Sequence, residues 1–244
     1  MATRIEIAAP DGPAEAYLAG EPGRPGVLLF MDAIGLRPRI AEMADRIASW
    51  GYTVLAPHVF YRDGSAAELS PDGPLLTEKA RSEHFKGAMA RVRGLTPDRV
   101  AADERAWVDA LLERATGPIA ATGYCFGGRL ATRVACDLPD VVAAVGGWHT
   151  GGLVTDGDDS PHLGLADARA EFVYGHADQD RSMPAAAVAT LEEALTAAGV
   201  IHDNQVFEGA RHGYTMSDTA VYDEAATERH FEALEALLAR TIGG

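Results

Sequence analysis

The sequence TGYCFGG, residues 122–128, decides the fold, and it contains one of the two cysteines of the chain. It follows the apolar run PIAA and precedes the helical pattern RLATRVA, so a strand is expected to turn into a helix at Cys125. The five residues GYCFG match the G-x-S-x-G nucleophile elbow, with cysteine in place of serine. A Cβ two residues before or after the nucleophile would collide with the neighbouring strand or helix, which explains both glycines. The positive end of the helix dipole would also favour a thiolate at Cys125.

Other interpretations of this stretch are weaker. A phosphate-binding loop needs Gly-Lys-Ser/Thr, whereas Gly128 is followed by Arg129 and Leu130, and a G-x-G-x-x-G dinucleotide pattern is absent. A small cysteine packed in a glycine-rich turn remains the structural alternative for Cys125. Cys136 lies within the helical pattern with no motif around it, so we interpret it as a core residue. Along one helix the two cysteines would be about 16 Å apart, too far for a disulfide.

Short apolar runs bounded by turn residues alternate with longer helical patterns on both sides of the elbow. Residues 4–9 and 14–19 flank the turn PDGP and predict an antiparallel hairpin. Most later runs are continuously apolar, as expected for strands buried on both faces. The pattern therefore predicts an α/β fold, a mostly parallel sheet with helices on both faces, led by the hairpin. The later predicted strands are residues 26–31, 52–57, 117–123, 141–148, 170–175 and 202–208, and the predicted helices are residues 39–50, 99–115, 126–138, 184–199 and 223–240.

One segment, residues 61–100, is longer than an ordinary connection between a strand and a helix. We expect it to form short helices over one end of the sheet and call it the cap segment. At 244 residues the chain fits one large α/β domain, so residues 1–244 are predicted to form a single domain that includes this insertion.

The charge of the chain restricts its partners. Lysine and arginine total 21 against 36 aspartate and glutamate residues, a net charge of −15, which disfavours nucleic acid and anionic membranes. No apolar stretch is long enough for a membrane span, and the N-terminus lacks the apolar core of a signal peptide. Two cysteines do not make a disulfide framework. We therefore expect a cytoplasmic protein.

A thiol nucleophile needs a base, and the base needs an orienting acid, in the chain order nucleophile, acid, histidine. Of the eight histidines, His212 fits best, because it follows the last predicted strand and precedes the last helix. His230 falls in a helical pattern and is expected at the surface. The loop after the strand ending at Gly175 offers two acids, Asp178 and Asp180.

From residue 26 to residue 239 the sequence resembles the dienelactone hydrolase (carboxymethylenebutenolidase) family of the α/β-hydrolase superfamily. The cysteine elbow is the specific signal, and D-x-S-M-P at residues 180–184 and H-G-Y at residues 212–214 support it. The resemblance implies the α/β-hydrolase fold, with Cys125 as nucleophile, His212 as base and Asp180, rather than the alternative Asp178, as acid. The oxyanion hole would use the backbone N–H groups of Phe126 and Ala33.

The sequence departs from the family at two positions. Asp32 stands where the family usually has a glutamate whose carboxylate interacts with the resting thiol, so we expect Asp32 to modulate the thiol. Met216 stands four residues beyond His212, where an arginine commonly helps to hold the substrate carboxylate.

Other residues could replace that arginine. Between residues 79 and 93 the cap segment has Lys79, Arg81, Lys86, Arg91 and Arg93 against Glu83 alone, a local positive charge that could attract an anionic substrate. Arg81 of this cluster is a candidate substrate-binding residue, and Arg62, after the end of the strand at residues 52–57, is another. Trp148 and His149 end a strand at the same edge of the sheet and are expected to line the pocket.

These features predict a cofactor-free hydrolase with a small-molecule substrate, an activated ester or enol-lactone, and a thioester acyl-enzyme. The alternative is a non-enzymatic protein that senses redox state through Cys125 or binds a small molecule on the same fold. No histidine pair has helical i, i+4 ligand spacing, so no metal is expected. The chain is expected to be a monomer or a homodimer.

Overall fold

The computed structural model describes residues 1–243 and contains one eight-stranded sheet. The strands are β1 (Thr3–Ala9), β2 (Gly12–Ala19), β3 (Pro25–Phe30), β4 (Thr53–Pro57), β5 (Thr116–Tyr124), β6 (Val142–Trp148), β7 (Glu171–Ala177) and β8 (His202–Phe207). Their order across the sheet is β1-β2-β4-β3-β5-β6-β7-β8. β1 and β2 form the predicted antiparallel hairpin, and β2 also pairs antiparallel with β4. All other pairs are parallel, so the carboxyl ends of β3 to β8 meet at one edge.

Helices cover both faces of this sheet and confirm the predicted α/β architecture. They are α1 (Pro38–Ser49), α2 (Ala66–Leu69), α3 (Glu78–Gly94), α4 (Pro97–Leu112), α5 (Gly127–Asp137), α6 (Ala185–Ala198) and α7 (Glu224–Thr241). A short 3-10 helix spans Pro161–Asp167. Consecutive residues of β6 point to opposite faces: a Cβ at Gly146 would meet Leu234 of α7, and a Cβ at Gly147 would meet Tyr174, whose hydroxyl contacts Thr132 of α5.

The centre of the sheet is the core of the molecule. β3 and β5 are buried along most of their length because their apolar runs are covered by helices on both faces. Trp107 of α4 packs edge-on against Phe30 of β3, with ring centroids 5.6 Å apart. The loops that follow β5, β7 and β8 are thus anchored on a rigid scaffold.

The cap segment contains α2 and α3, and its last residues begin α4, which starts at Pro97. Its main chain is tied to the loop after β8, because the Leu75 N–H donates to the Asp218 carbonyl and the Leu75 carbonyl accepts from the Ala220 N–H. Within residues 1–243 no helix is both long enough and apolar enough to cross a bilayer.

Candidate active site

Cys125 occupies the sharp turn between β5 and α5. Its φ of 56° lies in the left-handed region, which a residue with a side chain rarely adopts. A Cβ on Gly123 would overlap the Gly127 carbonyl, and a Cβ on Gly127 would overlap the carbonyl oxygens of Phe30 and Met31. These overlaps are the steric reason predicted for both glycines. The turn presents the Cys125 sulfur at the carboxyl edge of the sheet.

Three side chains from separate loops form a continuous hydrogen-bonded relay. The Sγ of Cys125 lies 3.1 Å from Nε2 of His212, and Nδ1 of His212 lies 2.6 Å from Oδ2 of Asp180. The other carboxylate oxygen of Asp180 accepts from the hydroxyl of Ser182 at 2.7 Å and from its backbone N–H at 2.8 Å. Asp180 is thus fixed by three donors, and it fixes the orientation of the imidazole.

Asp178, the alternative acid, is engaged elsewhere. Its Oδ2 accepts from the Gly209 N–H at 3.1 Å, and its own N–H donates to the Ala210 carbonyl at 2.8 Å. It therefore stabilises the loop after β8, while Asp180 contacts His212. The geometry places Asp180, rather than Asp178, in the relay.

The charges in the relay favour the protonated form of His212. Burial disfavours the protonated ring of His212, but the Cys125 sulfur and the Asp180 carboxylate outweigh burial and raise the pKa of His212 to about 10. Burial likewise disfavours the ionised Asp180, yet hydrogen bonds from His212 and Ser182 hold the pKa of Asp180 at about 2. At neutral pH the arrangement therefore favours an ionised aspartate and a protonated histidine beside the sulfur.

Two backbone N–H groups next to Cys125 are available to an incoming oxygen. Ala33 and Phe126 both line the cavity that contains Cys125 and His212. Neither N–H donates to a carbonyl or a side chain of residues 1–243. Two free donors in the cavity of a nucleophile are what an oxyanion hole requires.

The Cys125 cavity has a volume of about 350 Å³ and mostly apolar walls. The cap segment supplies Phe85, Met89 and Val92 of α3, α5 supplies Arg129, and the loops after β6 and β7 supply Gly151, Gly152 and Ser182. In the described part of the chain, no group of three or more His, Cys, Asp or Glu side chains is arranged to hold a metal ion. The cavity suits a small, largely apolar ligand.

Comparison with known proteins identifies the family of the chain. The model of the dienelactone hydrolase family matches residues 14–242, nearly the whole chain. The chain belongs to the dienelactone hydrolase family. Membership implies a hydrolase with a small-molecule substrate.

Individual relatives are distant but cover most of the chain. A protein of Escherichia coli K12, named provisionally as a carboxymethylenebutenolidase, is 26% identical over 210 residues, which is 84% of this chain and 72% of that protein. A protein of Methylorubrum extorquens with the same provisional name is 29% identical over 223 residues, 88% of this chain and 72% of that one. A crystal structure from Klebsiella pneumoniae, provisionally described as a dienelactone hydrolase, superposes with a TM-score of 0.82 at 21% identity and covers 98% of both chains. The superposition shows that the fold is shared.

Asp32, the first departure from the family and the residue expected to modulate the thiol, forms no hydrogen bond with Cys125. Arg37 binds both of its oxygens, with Nη1–Oδ1 at 2.6 Å and Nη2–Oδ2 at 3.2 Å, and the Ile34 N–H also donates to Oδ1. Arg37 is buried and bridges onward to Asp218, with Nε–Oδ2 at 2.5 Å. Asp32 therefore shapes the loop that presents the Ala33 N–H. Arg37 was missed in the sequence because its partner Asp218 lies 181 residues away.

Met216, the second departure, is buried and does not line the Cys125 cavity. Its Sδ accepts from Nη2 of Arg37 at 3.3 Å. The position that commonly carries an arginine in the family is thus part of the core below the loop of His212.

The expected substrate residues are not all at the site. Arg62 is placed wrongly by the sequence argument, because its guanidinium binds the buried Asp103 with both Nη atoms and Asp11 with Nε. Trp148 is fully buried and donates its indole N–H to Thr122, so it does not line the cavity either.

His149 lies behind the relay instead of in the cavity wall. It is buried, its Nε2 lies 2.8 Å from the Thr215 hydroxyl, and its ring packs edge-on against His212 with centroids 5.3 Å apart. Burial and the neighbouring His212 lower the pKa of His149 well below its ordinary value. His149 is therefore a neutral support for the ring of His212. Arg81 lines a cleft on another side of His212, with Asp178, Asp180 and Arg211, and remains a candidate contact.

Two other expectations concern residues away from the relay. Cys136 is buried as predicted, and burial raises its pKa to about 12, which keeps it a thiol. The surface position expected for His230 is wrong: it is fully buried, 3.1 Å from the Tyr124 hydroxyl. Its spacing of four residues from the buried Leu234 was the signal for the core face of the helix.

Proposed function

We propose that this chain is a cofactor-free hydrolase that cleaves an activated ester or an enol-lactone through a thioester acyl-enzyme. One observation carries the proposal: the relay from Cys125 through His212 to Asp180, with separations of 3.1 and 2.6 Å. The relay has the geometry of a nucleophile, a base and an orienting acid. Membership of the dienelactone hydrolase family supports this class of reaction.

In the first half of the reaction, the Cys125 thiolate attacks the carbonyl carbon of the substrate. The carbonyl oxygen takes up the electron pair and is stabilised by the N–H groups of Ala33 and Phe126. When the tetrahedral intermediate collapses, the bond to the leaving oxygen breaks and His212 transfers its proton to that oxygen. The acyl group is left on the sulfur as a thioester.

In the second half, neutral His212 removes a proton from a water molecule that attacks the thioester. The intermediate expels the Cys125 thiolate and releases the carboxylic acid, and His212 is again protonated beside the sulfur. Asp180 stays ionised throughout and stabilises the imidazolium. Atoms and charges balance without a cofactor.

The nucleophile restricts the class of substrate. A thiolate is a good leaving group, so the first intermediate expels the sulfur again unless the other leaving group is at least as stable. Phenolates, enolates and thiolates meet this condition, whereas simple alkoxides do not. We therefore propose activated esters, enol-lactones or thioesters that fit a cavity of about 350 Å³.

The test compares the wild type with Cys125→Ala on para-nitrophenyl acetate. We expect turnover to fall to the background rate, because the only nucleophile of the relay is removed, while the circular dichroism spectrum stays unchanged. Cys136→Ala is the matched control and should keep full activity, since that thiol is buried and protonated.

Mass spectrometry after brief exposure to the ester separates this proposal from a redox sensor. A transient acyl adduct on Cys125 is expected for the enzyme. Full activity in Cys125→Ala, or only oxidised forms of Cys125 without an acyl adduct, would contradict the proposal.

A further inference from the structure

Among residues 1–243, Arg129 is the only arginine or lysine that lines the Cys125 cavity. It is partly buried on α5, four residues after the nucleophile. Within residues 1–243 its guanidinium donates no hydrogen bond and forms no ion pair; only its backbone N–H is engaged, by the Phe126 carbonyl. A fixed positive charge therefore faces the cavity without a protein partner.

Three other well-covered arginines of the structure are bound to protein groups. Arg37 is held by Asp32 and Asp218, Arg62 by Asp11 and Asp103, and Arg39 by Glu42 and the Thr215 carbonyl. Removing an arginine from water without pairing it is costly. The guanidinium of Arg129 is partly desolvated at the cavity wall without a counter-charge. A ligand bound in the cavity could supply the missing anion.

The position of Arg129 brings its charge close to the reacting sulfur. A long side chain on a helix points back toward the helix N-terminus and covers the preceding turn, which here contains Cys125. Burial lowers the pKa of Arg129, and the negative charge of Cys125 opposes that effect, so the two groups interact.

The surroundings leave space for an anion. The guanidinium lies against Gly152, whose φ is +70°, and a Cβ there would come within 3.5 Å of Nη1 and Cδ of Arg129. A second cavity of about 180 Å³ adjoins the first, and the two share Val92, Phe126, Arg129 and Gly152 as lining residues. Arg129 thus stands at the boundary of two open spaces.

We propose that Arg129 binds a carboxylate of the substrate and selects acyl groups that carry this carboxylate a few bonds from the scissile carbonyl. A guanidinium can bind both oxygens of a carboxylate with two parallel N–H donors. The net charge of −15 repels anions at long range, so a local cation is needed to select one. This inference rests on the proposed hydrolase function of the same site.

The rival role for the same side chain is stabilisation of the Cys125 thiolate. That role would affect charged and neutral substrates equally, whereas a carboxylate-binding role affects only the charged substrate. The experiment therefore uses substrates that differ in this charge alone.

The first measurement compares mono-para-nitrophenyl adipate with its methyl ester, a chain long enough to limit attack by its own carboxylate. In Arg129→Met we expect kcat/KM for the anionic ester to fall on the order of tenfold or more, mainly through KM, because a charge-assisted contact is lost. The neutral ester should change by less than about twofold. Arg133→Met, one turn further along α5, changes an arginine that lines the second cavity but not the Cys125 cavity; it is the matched control and should change neither. An equal loss for both esters would overturn the proposal in favour of the thiolate role.

The second measurement does not need hydrolysis. Iodoacetate and iodoacetamide both alkylate a thiolate with loss of iodide, and only the first carries a carboxylate. We expect Arg129→Met to lower the ratio of their rates at Cys125 several-fold, Arg129→Lys to retain most of the ratio, and Arg133→Met to leave it unchanged, with the labelled cysteine located by mass spectrometry.

The two measurements separate the two proposals. If the wild type hydrolyses neither ester but the alkylation ratio falls in Arg129→Met, the hydrolase proposal fails and the anion site stands. If the ratio is the same in the wild type and in a folded Arg129→Met variant, the anion site is refuted whatever the hydrolysis data show.

Discussion

At the scale of single residues, the reactivity of the site depends on one carboxylate. Asp180 is almost fully buried, contacts His212 at 2.6 Å and receives two hydrogen bonds from Ser182. It holds the imidazole in the orientation in which Nε2 faces the sulfur. His149 adds an edge-on contact to the same ring. Asp180 and His149 thus fix the orientation of the His212 ring from two sides, and of these two residues only Asp180 is charged.

We expect Asp180→Asn to lower kcat/KM for an activated ester on the order of a hundredfold, because a neutral amide no longer stabilises the imidazolium. Asp178→Asn is the matched control, since its carboxylate binds Gly209 instead, and it should retain activity within a few-fold. Steady-state kinetics at pH 7 decides between them. A larger loss in Asp178→Asn would reverse the assignment of the acid.

The same variant has a pH signature. The folded-state pKa of Asp180, about 2, lies below its ordinary 3.8, so the wild type carries a stabilisation of about 2 kcal/mol above pH 4 that is lost as the pH falls toward 2. Urea unfolding of the two proteins between pH 2 and pH 6 should show their stability difference shrinking toward low pH. A difference that is constant with pH would contradict the cause given for the shift.

At the scale of elements, most of the fold could be predicted from the pattern of apolar residues. The strand expected at residues 52–57 is Thr53–Pro57, the helix expected at residues 126–138 is Gly127–Asp137, and the last helix, expected at residues 223–240, is Glu224–Thr241. Continuous apolar runs and glycine or proline boundaries determine these elements locally. His230 was misassigned because a polar residue in an amphipathic helix was taken as exposed, although its buried ring satisfies Tyr124 and the Thr227 carbonyl.

The junction of β5 and α5 is the element whose geometry tolerates least change. In Gly127→Ala the new Cβ would lie 2.6 Å or less from the carbonyl oxygens of Phe30 and Met31, so β3 and α5 must move apart. We expect a loss of stability of about 1–3 kcal/mol, together with a large loss of activity. Gly87→Ala on the exposed face of α3 is the control and should be neutral or stabilising by up to about 1 kcal/mol. Equal urea midpoints for the two variants would show that the close contact of Gly127 with β3 does not restrict the residue at this position.

At the scale of the whole molecule, the relay could be predicted because topology brings it together. Cys125, Asp180 and His212 follow β5, β7 and β8, and the carboxyl ends of these parallel strands share one edge. Side-chain pairing across the molecule could not be predicted, because 21 basic and 36 acidic residues offer many equivalent partners. Arg62 was therefore assigned to the substrate although it binds Asp103, and the unpaired state of Arg129 was invisible in the sequence.

Arg37 connects the three parts of the molecule that surround the site. It binds Asp32 below the loop of Ala33 and Asp218 in the loop after His212, and the Asp218 carbonyl accepts from Leu75 of the cap segment. The two carboxylates outweigh the effect of burial and raise the pKa of Arg37, so the guanidinium stays charged in the core. The buried guanidinium of Arg37 thus fixes three segments relative to one another: the loop of Ala33, the loop of His212 and the cap segment.

We expect Arg37→Met to destabilise the protein by about 3–5 kcal/mol, because the buried Asp32 is left without its counter-charge. Adding Asp32→Asn to this variant should recover part of the loss by removing the uncompensated charge, which a simple packing defect would not do. Arg169→Met breaks an exposed pair with Asp140 and should cost less than about 1 kcal/mol. Urea unfolding of the four proteins at neutral pH measures these differences. If Arg37→Met is no less stable than Arg169→Met, the network does not hold the site together, and the shared position of the two loops must come from the sheet alone.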